Sequence, residues 1–469
     1  MVTYKLPSPV TKILESLKKA GFEAYAVGGS VRDMLMARST KNWDFTTNAT
    51  PNQILELFPD SFYDNVFGTV GLKQEDGQIF EITTFRTEWG YKDHRHPDKI
   101  VWGKTLEEDL SRRDFTVNAI ALSLSKGKPS IIDPFDGQKD LKTKIVRAVG
   151  DPKKRFSEDA LRLLRAVRIA TELEFLIESA TFAAIAENAS LIKKISEERV
   201  RDELFKILTT AHPADGFMLL RNCGLLKEIL PEVEKGFGVP QASPGRHHIY
   251  DVGTHLFLSL KHCPSTDSLV RFATLLHDIG KPVTLAKDKA GIITFYNHEV
   301  IGASIARNLA DRLKFSKKDR DKFVTLVRWH QFSVDEKQTD SALRRFIKRV
   351  GKENLKDILD LRIGDRLGGG ARETSWRLKL FIKRLEEVQK QPFTVADLKV
   401  DGNDVMEILK IGPGPMVGKV LNTLFVEVVE DIKKNNREYL LKRIKVEDIK
   451  KNNREYLLKR IKEISKTLV

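Results

Sequence analysis

Only two cysteines, Cys223 and Cys263, occur in 469 residues, which excludes a disulfide scaffold and suits a reducing compartment. Long apolar runs are missing too. No stretch is long enough to cross a bilayer, and Met1-Val2-Thr3-Tyr4-Lys5-Leu6-Pro7 lacks the apolar core of a secretory signal. The expectation is therefore a soluble, cytoplasmic chain with no membrane partner. Acidic residues are the minority charge: 65 Asp and Glu against 80 Lys and Arg leave a net +15. That balance favours a polyanionic partner, above all nucleic acid. With 41% hydrophobic and 31% charged residues, the rest is ordinary for a helix-rich globular protein. Its length calls for roughly two to four domains.

Periodicity divides the chain into two kinds of territory. Val10, Ile13, Leu14 and Leu17 share one face of a helix over about residues 8–20. Ala24-Tyr25-Ala26-Val27 reads as a short buried strand running into Gly28-Gly29, with Val31–Met36 helical beyond it. Trp43–Thr47, Val66–Leu72 and Ile79–Phe85 read as further strands, with Asn42 and Asp44 expected on one strand face. From about residue 150 long helical periods take over: Glu158–Glu172, Ser196–Thr209 and Phe217–Arg221. Turn clusters at Gly236–Gly245 and Gly364–Gly370 are candidate boundaries. In the tail, Val429–Lys445 (VEDIKKNNREYLLKRIK) recurs unchanged as Val446–Lys462. On one continuous helix, seventeen residues would rotate the second apolar face by roughly 100° from the first. The repeat therefore reads as a recent or artificial duplication rather than a functional array.

The residues after the first strand carry chemistry. Glycines between a strand and a helix let backbone amides approach a phosphate, and Arg32 lies one turn further on as a two-pronged donor. Nucleotidyl transfer needs metal ions to neutralise phosphate and activate a hydroxyl, and Mg²⁺ takes hard oxygen ligands from a few carboxylates. Asp44 and Glu81 fit two such positions. Asn42, where the pattern expects Asp, offers only a neutral carbonyl.

Four spaced motifs over residues 5–225 resemble the class II CCA-adding enzyme (tRNA nucleotidyltransferase) and bacterial poly(A) polymerase family. Gly28-Gly29-Ser30-Val31-Arg32-Asp33 looks like its phosphate motif, and Asn42-Trp43-Asp44 occupies the place of its D-x-D. Arg112-Arg113-Asp114-Phe115-Thr116-Val117-Asn118-Ala119 looks like its RRD motif, which implies a sugar and triphosphate role for Arg113, Asp114 and Asn118. Glu158-Asp159-Ala160-Leu161-Arg162 looks like its ED-x-x-R motif. Spaced three apart on one helix, Asp159 and Arg162 would share a face and could meet a base edge. The resemblance implies that they select CTP and then ATP without a template. Trp89–Pro97 looks like the loop associated with the switch to adenylate, and Phe67-Gly68-Thr69-Val70 like the CCA-adding version of its region.

A second constellation lies mid-chain: His255, His277-Asp278, His298, His330 and Asp365. Imidazole beside carboxylate suits Mn²⁺, Ni²⁺ or Fe²⁺. The set is similar to an HD-domain metal site, with His255, His277, Asp278 and Asp365 as ligands and His298 and His330 as extra histidines. The resemblance implies phosphatase or 2′,3′-cyclic phosphodiesterase activity.

The expected architecture is an α/β nucleotidyltransferase head (1–140), a helical neck carrying the base-reading motif (141–225), a helical body with the HD centre (226–370) and a helical RNA-binding tail (371–469). Arg344-Arg345, Lys348-Arg349, Arg372, Arg377, Lys379 and the Lys433–Arg443 region are candidates for phosphate contacts to a tRNA elbow, contacts that would weaken with salt. The expected function is template-independent addition of CCA to the tRNA 3′ end from CTP and ATP with Mg²⁺. The alternatives are a poly(A) or A-adding polymerase, a tRNA-binding HD phosphohydrolase whose polymerase site Asn42 has disabled, and an RNA-binding protein with both sites vestigial.

Overall fold

The computed structural model describes residues 6–40, 42–65, 68–89, 99–103, 105–125, 127–241, 250–371, 375–389 and 394–445. Among them the chain forms two compact units. The first takes the residues up to Val327 together with Gly364–Ala371, and the second takes Arg328–Ile363 and the residues from 375 onward. Among the described residues no helix is long and apolar enough to cross a membrane.

The first unit opens with α1 (Ser8–Lys19), whose expected apolar stripe is buried. It leads to β1 (Ala24–Val27), α2 (Gly29–Leu35), β2 (Asp44–Thr47), α3 (Pro51–Leu57), β3 (Ser61–Asn65), β4 (Thr69–Lys73) and β5 (Ile79–Thr84). The hairpin β6–β7 (Arg86–Trp89, Lys99–Trp102), α4 (Leu106–Ser111), and β8–β9 (Ala121–Ser125, Lys128–Ile132) follow. Seven of these strands make one mixed sheet in the order β3-β4-β5-β2-β1-β8-β9. Only β2 and β5 run parallel in it, because α3, β3 and β4 carry the chain back before β5 is laid down. Val10, Leu14 and Leu17 pack with Ala26, Phe45, Ile82 and Leu122 beneath the sheet. At about 1.5–3 kcal/mol for each large apolar side chain removed from water, this core is what fixes the strand register. α3 and α4 each start on a reciprocal cap, Thr50 with Gln53 and Thr105 with Glu108.

Several boundaries differ from the sequence reading. β2 begins at Asp44, so Asn42 is exposed and precedes the strand rather than sharing a strand face with Asp44. β4 starts at Thr69, and Val66, Phe67 and most of the loop up to Pro97 lie outside the described residues. After α5 (Gly137–Thr143), the helix expected over Glu158–Glu172 is two helices, α6 (Pro152–Glu158) and α7 (Leu161–Leu173). Asp159 between them is extended, φ −138° and ψ 105°. Its carboxylate accepts the Leu161 N–H at 3.0 Å, the local competition by which Asp breaks one helix and starts another. The following helices are Glu197–Leu208 and Pro213–Asn222. Gly364 and Gly368 do not form a turn. They lie in the helix Leu355–Gly368 and let it approach Ser259, where a Cβ would come within 2.7 Å and 2.4 Å of that residue. The division between the units nonetheless falls at either end of this glycine cluster.

In the second unit, Val405, Val420, Leu424, Val428, Leu440 and Ile444 form a core. Leu440 and Ile444 belong to the first copy of the repeat, whereas the second copy lies outside the described residues.

Gly137 sits where a Cβ would lie 2.3 Å from the Thr116 carbonyl oxygen and 2.7 Å from Ile120. Thr116 belongs to the 3₁₀ turn Thr116–Asn118 just after the Arg112–Asp114 segment. Gly137→Ala is expected to cost about 1–3 kcal/mol through overpacking, read as a lowered midpoint in urea with an unchanged slope. An unchanged midpoint would show that the turn moves aside freely.

Candidate active site and metal centre

Asp44 and Glu81 are direct register partners on the parallel pair β2–β5, so their side chains share one face, on strands roughly 4.8 Å apart. Beside them Gly28 holds φ at 81°, a left-handed conformation suited to glycine. A Cβ on Gly28 would lie 3.2 Å from Arg113 Nη1 and 3.3 Å from Asp44 Oδ2, so the missing side chain keeps a hollow open between a cation and a carboxylate. Arg113 is aimed there by the fully buried Asp109, which accepts from its Nη2 at 3.4 Å and from Arg112 at 2.7 Å. Burial raises the Asp44 carboxyl pKa, and the pull of Arg113 and Arg165 does not restore it. A buried carboxylate short of positive charge, with a second one in adjacent register, fits a divalent cation.

Around this hollow α6 and α7 place three arginines on the Arg112–Asp114 segment. Arg155 donates to the Ser111 carbonyl at 2.8 Å, and Arg162 to the Arg112 carbonyl at 2.9 Å. Arg165 grips the Asp114 carboxylate with Nε at 2.8 Å and Nη2 at 2.5 Å. Asp114 also accepts from Asn118 Nδ2 at 3.0 Å and from the Phe115 N–H at 2.9 Å. Burial pushes the Asp114 carboxyl upward, but Arg165 and Asn118 outweigh it and hold it well below the usual carboxylate range. Asn118 in turn accepts from Arg32 Nη1 at 2.9 Å, and Arg32 turns Nε and Nη2 onto Asp33 at 2.9 Å and 2.8 Å.

Some expectations change accordingly. Arg32 is buried under the glycine pair and bonded to Asp33 and Asn118, so it is a brace rather than an open triphosphate donor. Asp159 and Arg162 are not companions on one helix face. Asp159 meets Arg199 at 3.4 Å, while Arg162 bonds Glu158 at 2.9 Å and two backbone carbonyls. Sequence reasoning missed Arg155, Arg165, Arg199 and Asp109. Arg162, Arg165 and Arg168 recur every third residue in a mostly apolar helix, which was a readable sign of one polar stripe. Arg344 is buried and donates to the Val429 carbonyl at 2.7 Å, which removes it from the candidate RNA contacts. Arg345, Lys348, Arg349, Arg377 and Lys379 are exposed, and Arg372 lies outside the described residues.

In the second constellation, His255, His277, Asp278 and Asp365 lie together in the first unit. His255 comes from the helix Val252–Lys261, His277 and Asp278 from the end of Ser268–Leu276, and Asp365 from Leu355–Gly368. His255 Nε2 lies 3.2 Å from His277 Nε2, 3.4 Å from Asp278 Oδ2 and 3.3 Å from Asp365 Oδ1. His277 Nε2 lies 3.3 Å and 3.5 Å from the same two oxygens. Ligands about 2.1 Å from one ion stand about 3.0–3.4 Å apart, so this donor set fits a single cation. His277 Nδ1 is 2.7 Å from the Thr274 carbonyl and therefore carries the proton, which turns the Nε2 lone pair into the centre. Lys281 Nζ holds Asp278 Oδ2 at 2.6 Å and Gln241 at 2.8 Å, and His298 Nε2 holds Asp278 Oδ1 at 3.2 Å. His330 belongs to the second unit and is buried.

Comparison with known proteins identifies families over three parts of the chain. Residues 24–147 match the family described as the poly A polymerase head domain, 174–237 the probable RNA and SrmB-binding site of polymerase A, and 247–367 the HD domain. The CCA-adding enzyme of Ligilactobacillus salivarius is 34% identical over 457 residues, 95% of this chain and 98% of that protein. The match to the Lactobacillus helveticus CCA-adding enzyme is 47% identical over 229 residues, 48% of this chain but only 56% of that protein. Among solved structures, the Bacillus stearothermophilus CCA-adding enzyme in complex with CTP is similar at TM-score 0.68 and 27% identity, over 94% of this chain and 97% of that one.

In the metal-free centre His277 is buried, which disfavours its charge, but Asp278 and Asp365 outweigh this and push its pKa up to about 10. It is thus protonated at neutral pH, and a cation must displace that proton. Binding of Mn²⁺ is expected to release about one proton at pH 7 and to tighten as pH rises toward 10. Calorimetry in two buffers of different ionisation heat reads this directly, and buffer-independent heats would show a centre already deprotonated.

Proposed function

We infer that this chain, which belongs to the family of CCA-adding enzymes, extends the 3′ end of tRNA with cytidylate and adenylate drawn from CTP and ATP. The observation that carries this reading is the register of Asp44 against Glu81 beside the hollow at Gly28. Asp44 and Glu81 would hold Mg²⁺, with exposed Asn42 able to add only a neutral oxygen. When bound, that ion supplies charge neutralisation at phosphate and a lowered pKa for the attacking hydroxyl. In the reaction the tRNA 3′ oxygen bonds to the α-phosphorus, the bond to the β-phosphate oxygen breaks, and pyrophosphate leaves. Arg113 faces the hollow and would pair with the triphosphate, while Gly28 leaves that group room. Asp159 and Arg162 would read the base once Arg162 exchanges a backbone carbonyl for the base edge. The head, neck, body and tail divide at about residues 140, 225 and 370 in this reading. The work is done in the cytoplasm, and the net charge of +15 supports tRNA as the partner.

The preformed donor set at His255, His277, Asp278 and Asp365 supports a second activity, hydrolysis of a phosphate ester or a 2′,3′-cyclic phosphate with Mn²⁺ or Ni²⁺.

The polymerase reading predicts that Asn42→Asp raises kcat by about 10²-fold, since a third carboxylate would fix the metal more firmly. Incorporation of labelled CTP and ATP into tRNA ending at the discriminator base measures it. Extension by neither protein would sink the reading, and long A-tracts would replace it with the poly(A) alternative. For the second centre, His277→Ala is expected to abolish Mn²⁺-dependent hydrolysis of 2′,3′-cyclic AMP while leaving nucleotide addition intact.

A further inference from the structure

The registers of the seven-stranded sheet line up one row of residues across the candidate site. Phe62 on β3 faces Gly71 on β4, Gly71 faces Glu81 on β5, Glu81 faces Asp44 on β2, and Asp44 faces Val27 on β1. Directly opposed residues point to the same face of a sheet, so Phe62 stands on the face that carries the two candidate metal carboxylates. Gly71 lets its ring lie down across the sheet, since a Cβ there would come 2.5 Å from Phe62 Cζ and 2.8 Å from Cε2. One side of the ring thus rests on the Gly71 backbone, while the residue stays 42% exposed. The rest of this face is divided. Over β1 and β8, Val27 and Ala121 are buried with Phe85, Leu110 and Val149. Over β4 and β5, Lys73, Ile79 and Glu81 are exposed. The ring therefore lies one strand spacing beyond Glu81, roughly 4.8 Å, on the side away from Asp44.

The direction of attack gives this platform a use. The hollow at Gly28 and Arg113, which would take the triphosphate, lies on the β1 side of Asp44. In phosphoryl transfer the attacking oxygen stands roughly in line with the leaving group across the phosphorus, so the acceptor comes from the other side, over β5 and β4. We propose that the Phe62 ring is the stacking platform for the 3′-terminal base of the RNA acceptor, and that this contact sets the terminal 3′ hydroxyl beside Asp44 and Glu81. This assignment rests on the nucleotidyltransferase reading of the site. Stacking suits such an acceptor because every base has a π-face, and each addition changes which base is terminal. A hydrogen-bonding reader would have to be rebuilt at every step. Lys73, exposed on the same face two residues from Gly71, is placed for the phosphate of that terminal nucleotide. A ring laid over a strand glycine also stabilises a sheet by itself, and the two roles differ in what they do to RNA binding.

Binding rather than turnover separates them, so any defect at Asn42 does not interfere. Dissociation constants are measured at one salt concentration for a tRNA ending at its discriminator base and for the same tRNA whose last nucleotide lacks its base. The proteins are the full chain, Phe62→Leu and Phe62→Tyr, with thermal unfolding as the check on folding. Removing the base is expected to weaken binding to the parent about tenfold. Phe62→Leu is expected to lose the same factor toward the intact tRNA and nothing further toward the abasic one, because ring and base act as one pair. Phe62→Tyr keeps the ring and the parental values. CTP affinity stays as in the parent throughout, which a disturbed sheet would not allow. If Phe62→Leu still loses tenfold on removal of the base, or weakens CTP and both tRNAs alike, the proposal is overturned and the ring only covers Gly71. A parent that binds the two tRNAs equally well overturns it too. If the parent binds neither CTP nor tRNA, the nucleotidyltransferase reading itself fails and the proposal falls with it.

Discussion

A carboxylate taken out of water must have its lone pairs filled, and at Asp114 this requirement ties the first part of the chain together. Its donors come from three places: the backbone just after it, Asn118 on the next turn, and Arg165 about fifty residues later on α7. Removing one donor would leave charge buried without compensation, a defect worth about 3–5 kcal/mol. The head therefore cannot hold its Arg112–Asp114 segment in this geometry without the helix that follows. Arg155 and Arg162 repeat the connection three and two residues earlier, on the Ser111 and Arg112 carbonyls. The element that would read the base and the element that would hold the sugar and phosphates are thus positioned by the same contacts.

The register of β2 and β5 is the second constraint. Side chains alternate along a strand, so a slip of one residue would turn Glu81 away from Asp44 and bury it among Phe45, Ile82 and Val70. That slip is opposed by every apolar residue on the core face. The two carboxylates are held in register by the packing of the core face, since like charges in adjacent register repel. Burial raises the Asp44 carboxyl, and Arg113 and Arg165 draw it only part of the way back.

Much of this was legible in the sequence, and the failures have a common cause. The apolar stripe of α1 and the strand before Gly28 follow from local period, which sequence displays directly, whereas the donor set His255, His277, Asp278 and Asp365 came from resemblance to the HD-domain pattern. The break at Asp159 was not seen because the helical period of the flanking residues continues through it. It takes a hydrogen bond from its carboxylate to the Leu161 N–H to outweigh that period. Arg32 and Arg344 were read as open cations because charge suggests surface. Each is buried because a distant partner, Asn118 or the Val429 carbonyl, satisfies it. Long-range hydrogen bonds of this kind leave no periodic trace. The stripe of Arg162, Arg165 and Arg168 did leave one, yet its partners lie in three different segments.

The two candidate metal centres differ in how they meet the same electrostatic demand. At the HD centre, Lys281 and His298 already hold the two oxygens of Asp278, and His277 carries a proton that a cation can replace. Protons and an ammonium thus balance part of the carboxylate charge at that centre. In the head, Arg113 and Arg165 are the cations that act on Asp44, and both are already shared with Asp109 and Asp114. Were Asn42 to stand in the proposed metal site, its neutral side chain would both weaken metal binding and lower the repulsion between carboxylates. Occupancy of the head would then depend on metal and nucleotide together, whereas the HD centre needs only pH and metal.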